Sequence, residues 1–175
     1  HDGNTYETVQ IGEQIWMAEN LKVTHYNDTT AISTGYSNSE WVNLHQTETG
    51  AYAVYLNQES NADTYGYLYN WYAVNTGDLT PEGWHIPTDE EWTELITYLG
   101  SSAGSRMAGD IDLWISEYPS DELVNDPEFG TSGLNLLPGG YRNYANGNYD
   151  NMGSNGYYWS STESSSTNAW YRSLR

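Results

Sequence analysis

No cysteine occurs among the 175 residues of this chain. That absence excludes disulfides, thiolate zinc sites and cysteine nucleophiles together. Basic residues are scarce: 5 Lys and Arg stand against 24 Asp and Glu, for a formal charge of −19. Such a field disfavours nucleic acid and anionic membrane surfaces and leaves cations and neutral sugars as compatible partners. The plainer explanation of the charge is solubility in salt outside a cell. No apolar run approaches the roughly 18 residues of a membrane span, and no secretory leader is present. The chain starts at His1 rather than Met, and so reads as a processed or excised product. The histidines His1, His25, His45 and His85 share no metal-binding spacing, and Ser160 and Ser161 lack a Gly-x-Ser-x-Gly elbow. Phe occurs once, yet there are 17 Tyr and 8 Trp. Those two residues join a large apolar body to a polar handle, and so serve a core and a wet recognition surface alike.

What is present includes one helix start written out in full. In Gly83-Trp84-His85-Ile86-Pro87-Thr88-Asp89-Glu90-Glu91-Trp92, Thr88 is an N-cap and Glu91 sits three residues on, where a capping box needs a carboxylate. Asp89 and Glu90 complement the helix dipole. Trp92, Leu95, Ile96 and Leu99 repeat at helical spacing before Gly100, which predicts a helix over 89–99. The acidic cluster has the look of paired catalytic carboxylates, but capping accounts for it. His85 beside it is read as a loop hydrogen-bonding residue rather than a base.

The length fits one domain, residues 1–175, with no internal repeat or linker. Val9 and Ile11, then Ile15 and Met17, alternate about Gly12-Glu13 as a hairpin. Residues 22–60 read as an ordered, aromatic-bearing loop region with one short strand around Ala51 to Leu56. Tyr65, Leu68, Tyr69 and Tyr72 form a helical stripe, capped by Asp63 or Thr64, although Gly66 and the aromatic crowding also permit a strand. Residues 101–135 read as loop, with Met107, Trp114 and Phe129 inserted into a secondary core. From Leu136 to Arg175 short aromatic strands alternate with turns, signalled by Gly139-Gly140 and Asn146-Gly147, and Tyr157-Tyr158-Trp159 reads as a buried strand.

Trp84-His85-Ile86-Pro87-Thr88-Asp89-Glu90-Glu91-Trp92 resembles the signature of the Fibrobacter succinogenes major paralogous domain, a family of surface and secreted proteins. Further matches lie in order: Asp2-Gly3-Asn4-Thr5-Tyr6, Val9-Gln10-Ile11-Gly12, Trp16-Met17-Ala18-Glu19-Asn20-Leu21, Tyr65-Gly66-Tyr67-Leu68-Tyr69-Asn70-Trp71-Tyr72-Ala73-Val74, Leu137-Pro138-Gly139-Gly140-Tyr141-Arg142, Gly156-Tyr157-Tyr158-Trp159-Ser160-Ser161-Thr162 and Ala169-Trp170-Tyr171-Arg172. The resemblance implies an α+β, C-type-lectin-like fold, related to formylglycine-generating enzymes, with two helices beside a small twisted antiparallel sheet and long loops. It also implies an extracellular or cell-surface location. It carries over no catalytic residue, and the missing cysteines remove the formylglycine-generating chemistry, so the chain reads as non-enzymatic. Family members often carry a Cys where Thr80 stands. They also run on past Ala169-Trp170-Tyr171-Arg172 to a final strand that this chain lacks. The edge of the first hairpin is therefore expected to be covered by something other than this chain's own C-terminus. A neighbouring copy adding a strand or a cleaved tail would each do so.

Between Tyr141 and Tyr171, Tyr, Asn, Ser, Gly and Trp dominate, a mixture that resembles an antibody paratope and suits sugars. Candidate ligand-binding residues are Tyr144, Asn148, Tyr149, Tyr157 and Asn168; the alternative is that this segment is scaffold, with Trp159, Trp170 and Arg172 forming a second core. In some members of the resembled family this segment is diversified by retroelements that mutate adenine-rich codons such as those for Asn. Calcium is the candidate cofactor, since it takes six to eight oxygens. Asp110, Asp112 and Asp150 are its candidate ligands, and Asp121-Glu122 forms another acidic loop. The function expected is recognition of a glycan or protein ligand at a cell surface. The alternative is a structural subunit of a surface layer or filament, and a glycan-active enzyme is a third reading.

Overall fold

The computed structural model describes residues 2–115, 122–165 and 168–175. The architecture is α+β. Among the described residues, eight strands form three small sheets, with six α-helices between them. β1 (Thr8–Ile11) and β2 (Gln14–Met17) make the expected hairpin. Its register sets Val9 opposite Trp16, so Ile11 and Trp16 are the buried members, while Ile15 faces out at 62% exposure. The core-facing residue of the second strand is thus Trp16 rather than the Ile15 and Met17 set, because cross-strand partners share a face.

Two stretches read as loop contain helices. α1 (Asn38–Thr47) lies within 22–60 and starts from a capping box of Ser37 and Glu40; Trp41 and Leu44 are its buried residues. α2 (Glu59–Tyr65) follows, and Gly66 ends it with φ of 69°. A Cβ at Gly66 would lie 2.8 Å from the Leu21 carbonyl oxygen, so only glycine fits where the chain leaves the helix. The stripe of Tyr65, Leu68, Tyr69 and Tyr72 is therefore not one helix. Its residues divide among the end of α2, strand β4 (Leu68–Tyr69) and α3 (Trp71–Val74). β4 pairs with β3 (Tyr52–Ala53). Asn70 caps α3 by accepting from Ala73 N–H, and its side chain also accepts from Ala51 N–H, tying the helix to the start of β3. The 101–135 region carries α5 (Ala103–Met107) and α6 (Glu122–Asn125). Met107 and Trp114 lie in the principal core, with Phe129 packed against it, rather than in a secondary one.

The helix predicted from residue 89 is α4 (Asp89–Leu99) with both halves of its capping box formed. Thr88 Oγ1 accepts from Glu91 N–H at 3.2 Å, and the Glu91 carboxylate accepts from Thr88 N–H at 2.8 Å. At the same end the Arg172 guanidinium lies 2.6 Å from the Asp89 carboxylate, joining helix to sheet.

That sheet has four strands in the order β6-β5-β7-β8: β5 (Gly139–Arg142), β6 (Tyr149–Met152), β7 (Gly156–Ser165) and β8 (Asn168–Leu174). Gly139-Gly140 is not a turn but the start of β5, while Asn146-Gly147 does turn between β5 and β6. β5 meets β7 through one parallel pair, Gly140 opposite Gly156. A Cβ on Gly140 would lie 2.5 Å from the Asp150 carbonyl oxygen, and one on Gly156 2.7 Å from that of Leu137. Residues 171–175 do not pair with the first hairpin; β8 pairs with β7, and the hairpin has no third strand among the described residues.

Three apolar clusters hold these elements. The largest gathers the hairpin, α4, α5 and Leu174; the second surrounds Val23, Trp71 and Leu79; the third joins Trp41 and Leu44 of α1 to Ala51 and Ala53. β7 serves two of them by alternation, Tyr158 packing on the first and Trp159 on the second. Trp92 Nε1 donates to the Trp159 carbonyl at 3.2 Å, and Trp159 Nε1 donates to that of Tyr69 at 2.8 Å. The two indoles thereby link adjacent clusters by directed bonds.

Candidate functional site

The third cluster supports a surface built on one buried cation. Arg142, at the end of β5, is 8% exposed. Its guanidinium carbon lies 4.4 Å from the ring centre of Trp41 and 4.9 Å from that of Tyr149. In its plane, Nε donates to the Gly147 carbonyl at 3.1 Å and an Nη donates to that of Tyr36 at 2.7 Å. Planar, weakly hydrated guanidinium is suited to such a site, where aromatic faces and carbonyls replace water. Burial draws its pKa down from the ordinary arginine value, with Tyr149 opposing the shift. The clamp unites the entry to α1, the β5–β6 turn and β6.

Above the clamp opens a hollow of about 380 Å³ lined by Asn38, Leu56, Asn57, Asn148, Tyr149 and Asp150. Asn38 Nδ2 donates to Asn148 Oδ1 at 2.8 Å, and the Tyr149 hydroxyl donates to Asn57 Oδ1 at 2.9 Å. Leu56 and Asn57 both adopt left-handed backbone, φ 53° and 55°, and Leu56 is 52% exposed. Asn commonly visits that region; for an exposed leucine it is strain. Burial raises the Tyr149 pKa, so its hydroxyl stays a donor at neutral pH.

A row of tyrosines crosses the sheet on the face opposite Arg142 and Tyr149. Tyr141 and Tyr157 meet edge to face with ring centres 5.0 Å apart, and Tyr157 and Tyr171 are 5.9 Å apart. Tyr171 is half exposed. Tyr141 pairs across strands with Asp150 and shares its face of the sheet, while Arg142 and Tyr149 pair on the other face. Burial and Asp150 raise the Tyr141 pKa.

The five proposed ligand residues thus fall in four places. Asn148 and Tyr149 line the hollow; Tyr157 is the middle ring of the row; Tyr144 stands 78% exposed on the β5–β6 turn. Asn168 starts β8, with its Nδ2 on Ser165 Oγ at 2.9 Å. Of the scaffold alternative, Trp159 is packed in the second cluster, but Trp170 is 52% exposed, and Arg172 pairs with Asp89. The candidate calcium ligands are not gathered. Asp110 precedes and Asp112 lies within a 3₁₀ turn at Ile111–Leu113, Asp150 lies on β6, and no group of three His, Asp or Glu side chains among the described residues could hold a metal. Asp121 and His1 lie outside the described residues.

His85 Nε2 lies 2.9 Å from the Glu91 carboxylate, which also caps α4. Burial acts to raise the Glu91 pKa, but hydrogen bonds from Thr88 and His85 outweigh it and hold the carboxyl below its ordinary value. The carboxylate is thereby committed to the cap. Asn38, Leu56 and Asn57 were not foreseen as site residues. The Ser37-x-x-Glu40 spacing, identical in kind to Thr88-x-x-Glu91, was the available signal for α1 and hence for the wall that Asn38 supplies.

The model of the Fibrobacter succinogenes major domain matches residues 9–175. No curated protein and no solved structure matches the chain.

Proposed function

The chain belongs to the Fibrobacter succinogenes major domain family, and from that premise we propose that it is a non-enzymatic recognition domain displayed outside the cell. Its scaffold is of the C-type-lectin-like kind, and it binds glycan or protein ligands through the surface between Tyr141 and Tyr171. One observation carries this reading: the strands between Tyr141 and Tyr171 present a row of three tyrosine rings on one face, and the edge strand β6 of the same sheet carries Tyr149 of the amide-lined hollow on the other. The sheet thus displays aromatic area and amide hydrogen-bonding groups together. The commitment of Glu91 to capping supports the non-enzymatic part. The two longest helices, α1 and α4, and the small sheets support the lectin-like part. No helix among the described residues is long and apolar enough to cross a membrane, which leaves display to other means.

The test is glycan-array and immobilised-protein binding by the purified domain. Tyr144→Ala and Tyr157→Ala should keep the melting temperature within a few degrees and weaken any ligand found. Binding unchanged in both would overturn the assignment to this surface.

A second reading, a subunit assembled by strand addition, is favoured by β8. This seven-residue strand has β7 as its one strand neighbour among the described residues, and it carries neither Pro nor Lys to blunt its edge. Concentration-dependent polymerisation in analytical ultracentrifugation would support it, and a monomer at all concentrations would reject it.

A further inference from the structure

We propose that the hollow bounded by Asn38, Leu56, Asn57, Asn148 and Tyr149 is a binding site for one neutral sugar ring, with Leu56 as its apolar contact. The inference rests on the recognition reading and names the ligand class of one part of that surface. Its first ground is unused hydrogen-bonding capacity of both kinds. Asn38 spends Nδ2 on Asn148, and Asn57 spends Oδ1 on Tyr149; among the described residues this leaves Asn38 Oδ1 to accept and Asn57 Nδ2 and Asn148 Nδ2 to donate, all three on exposed side chains that a ligand can reach. Adjacent sugar hydroxyls both donate and accept, so a mixed set of amides matches them where a set of like charges does not.

The second ground is electrostatic. The lining contains no cation. Arg142 lies beneath the Tyr149 ring with its donors on main-chain carbonyls, and Asp150 stands at the rim of a chain of charge −19. An anionic sugar or a phosphate meets repulsion there without a counter-charge. The hollow is shallow, with Asn38, Leu56, Asn57 and Asn148 all exposed along it, so it suits a small ligand resting on its walls.

The third ground is Leu56. An aliphatic side chain that is half exposed, on backbone with φ of 53°, contributes little to the core and carries conformational strain. Placed at the mouth of an otherwise polar hollow, it offers the apolar patch on which the C–H face of a pyranose ring sits. Strain retained beside unspent hydrogen-bonding groups is expected where binding, rather than folding, sets the residue. The walls are preorganised by the Arg142 clamp, which lowers the ordering cost of binding.

The test is an NMR titration of the folded 175-residue chain, following the side-chain amides of Asn38, Asn57 and Asn148. The probes are galactose, mannose, glucose and N-acetylglucosamine, with glucuronic acid as the anionic comparison. At least one neutral sugar should shift these amides with a Kd on the order of 1 mM, as befits one ring with a handful of contacts, and glucuronic acid should not. Asn57→Ala and Asn148→Ala should each weaken it about tenfold, the size of one net hydrogen bond. Leu56→Gly should weaken binding while raising the melting temperature, a pairing that a purely structural residue would not give. The proposal is overturned if no neutral sugar moves these amides, if glucuronic acid binds equally well, or if the Asn variants bind as the parent does. Glycan-array binding that survives both Asn variants but disappears in Tyr157→Ala overturns the hollow alone and leaves the recognition reading standing. Absence of any ligand removes both.

Discussion

Arg142 is the residue on which the candidate surface depends. It holds two carbonyls and two aromatic faces, with no carboxylate partner among the described residues, so its loss leaves the Gly147 and Tyr36 oxygens without these donors and a gap between rings. Arg142→Met should destabilise the chain by about 2–4 kcal/mol in urea unfolding, adding lost charge-assisted hydrogen bonds to lost cation–π contact. Arg142→Lys should recover little, because an ammonium cannot reach both carbonyls while lying flat between two rings. A second residue-scale expectation concerns pH. Glu91 has a folded-state pKa below its ordinary value, so the stability it contributes is full above about pH 4.3, the unfolded value, and is lost as pH falls through the lower folded value. Glu91→Gln should flatten that part of the stability-versus-pH curve, measured by thermal melts between roughly pH 2.5 and pH 6. These two residues were unequally legible. The partners of Glu91 lie within six positions, whereas Arg142 contacts Tyr36 and Trp41, about a hundred residues earlier. A local pattern could reveal the first but not the second.

At the scale of elements, capping decides where both long helices begin. Thr88→Ala and Ser37→Ala should each cost about 0.5–2 kcal/mol. Because α4 packs in the first cluster and α1 in the third, the two effects should add within about 0.5 kcal/mol in the double variant. Equilibrium denaturation of the three variants checks this. α4 was readable because its cap precedes a clean apolar stripe; α1 buries only Trp41 and Leu44, so its cap stood before a sequence that reads as polar loop. The error at 65–72 is of another kind. Spacing suggested a helix, but the approach of Leu21 to Gly66 breaks it, and a tertiary contact of that sort leaves no mark on local periodicity. The hairpin was legible in position, yet its second strand turned the other face inward because Trp16 meets Trp92, ring centres 4.8 Å apart.

At the scale of the whole molecule, a charge of −19 is spread over a chain whose cations are largely spoken for: Arg106 pairs with Glu128, Arg172 with Asp89, and Arg142 is buried. Self-repulsion should therefore be relieved by screening. Raising NaCl from roughly 0.01 M to 1 M contracts the Debye length from about 30 Å to about 3 Å, and the melting temperature should rise across that range; calorimetry would register a flat or falling trend as a contradiction. Membership of the family was legible because ordered motifs span the chain, while the location of the candidate site was only partly so, since its walls come from α1, the 3₁₀ turn at Tyr55–Asn57, the β5–β6 turn and β6. The glycine pair joining β5 to β7 has a consequence for how such a chain diversifies. Gly140 is hemmed by the main chain of Asp150 and Met152, and Gly156 by the Leu137 carbonyl oxygen and the Tyr158 ring, so a side chain at either position must displace the backbone around it. Tyr144, Ala145 and Asn146, by contrast, stand in the open on the β5–β6 turn. In a saturation library selected for folding, the two glycines should be retained and the turn should accept most substitutions. A lineage of such domains is then free to alter the exposed turn without risk to the junction beneath, so under the proposed recognition role its variety would accumulate in the turn and not in the strands.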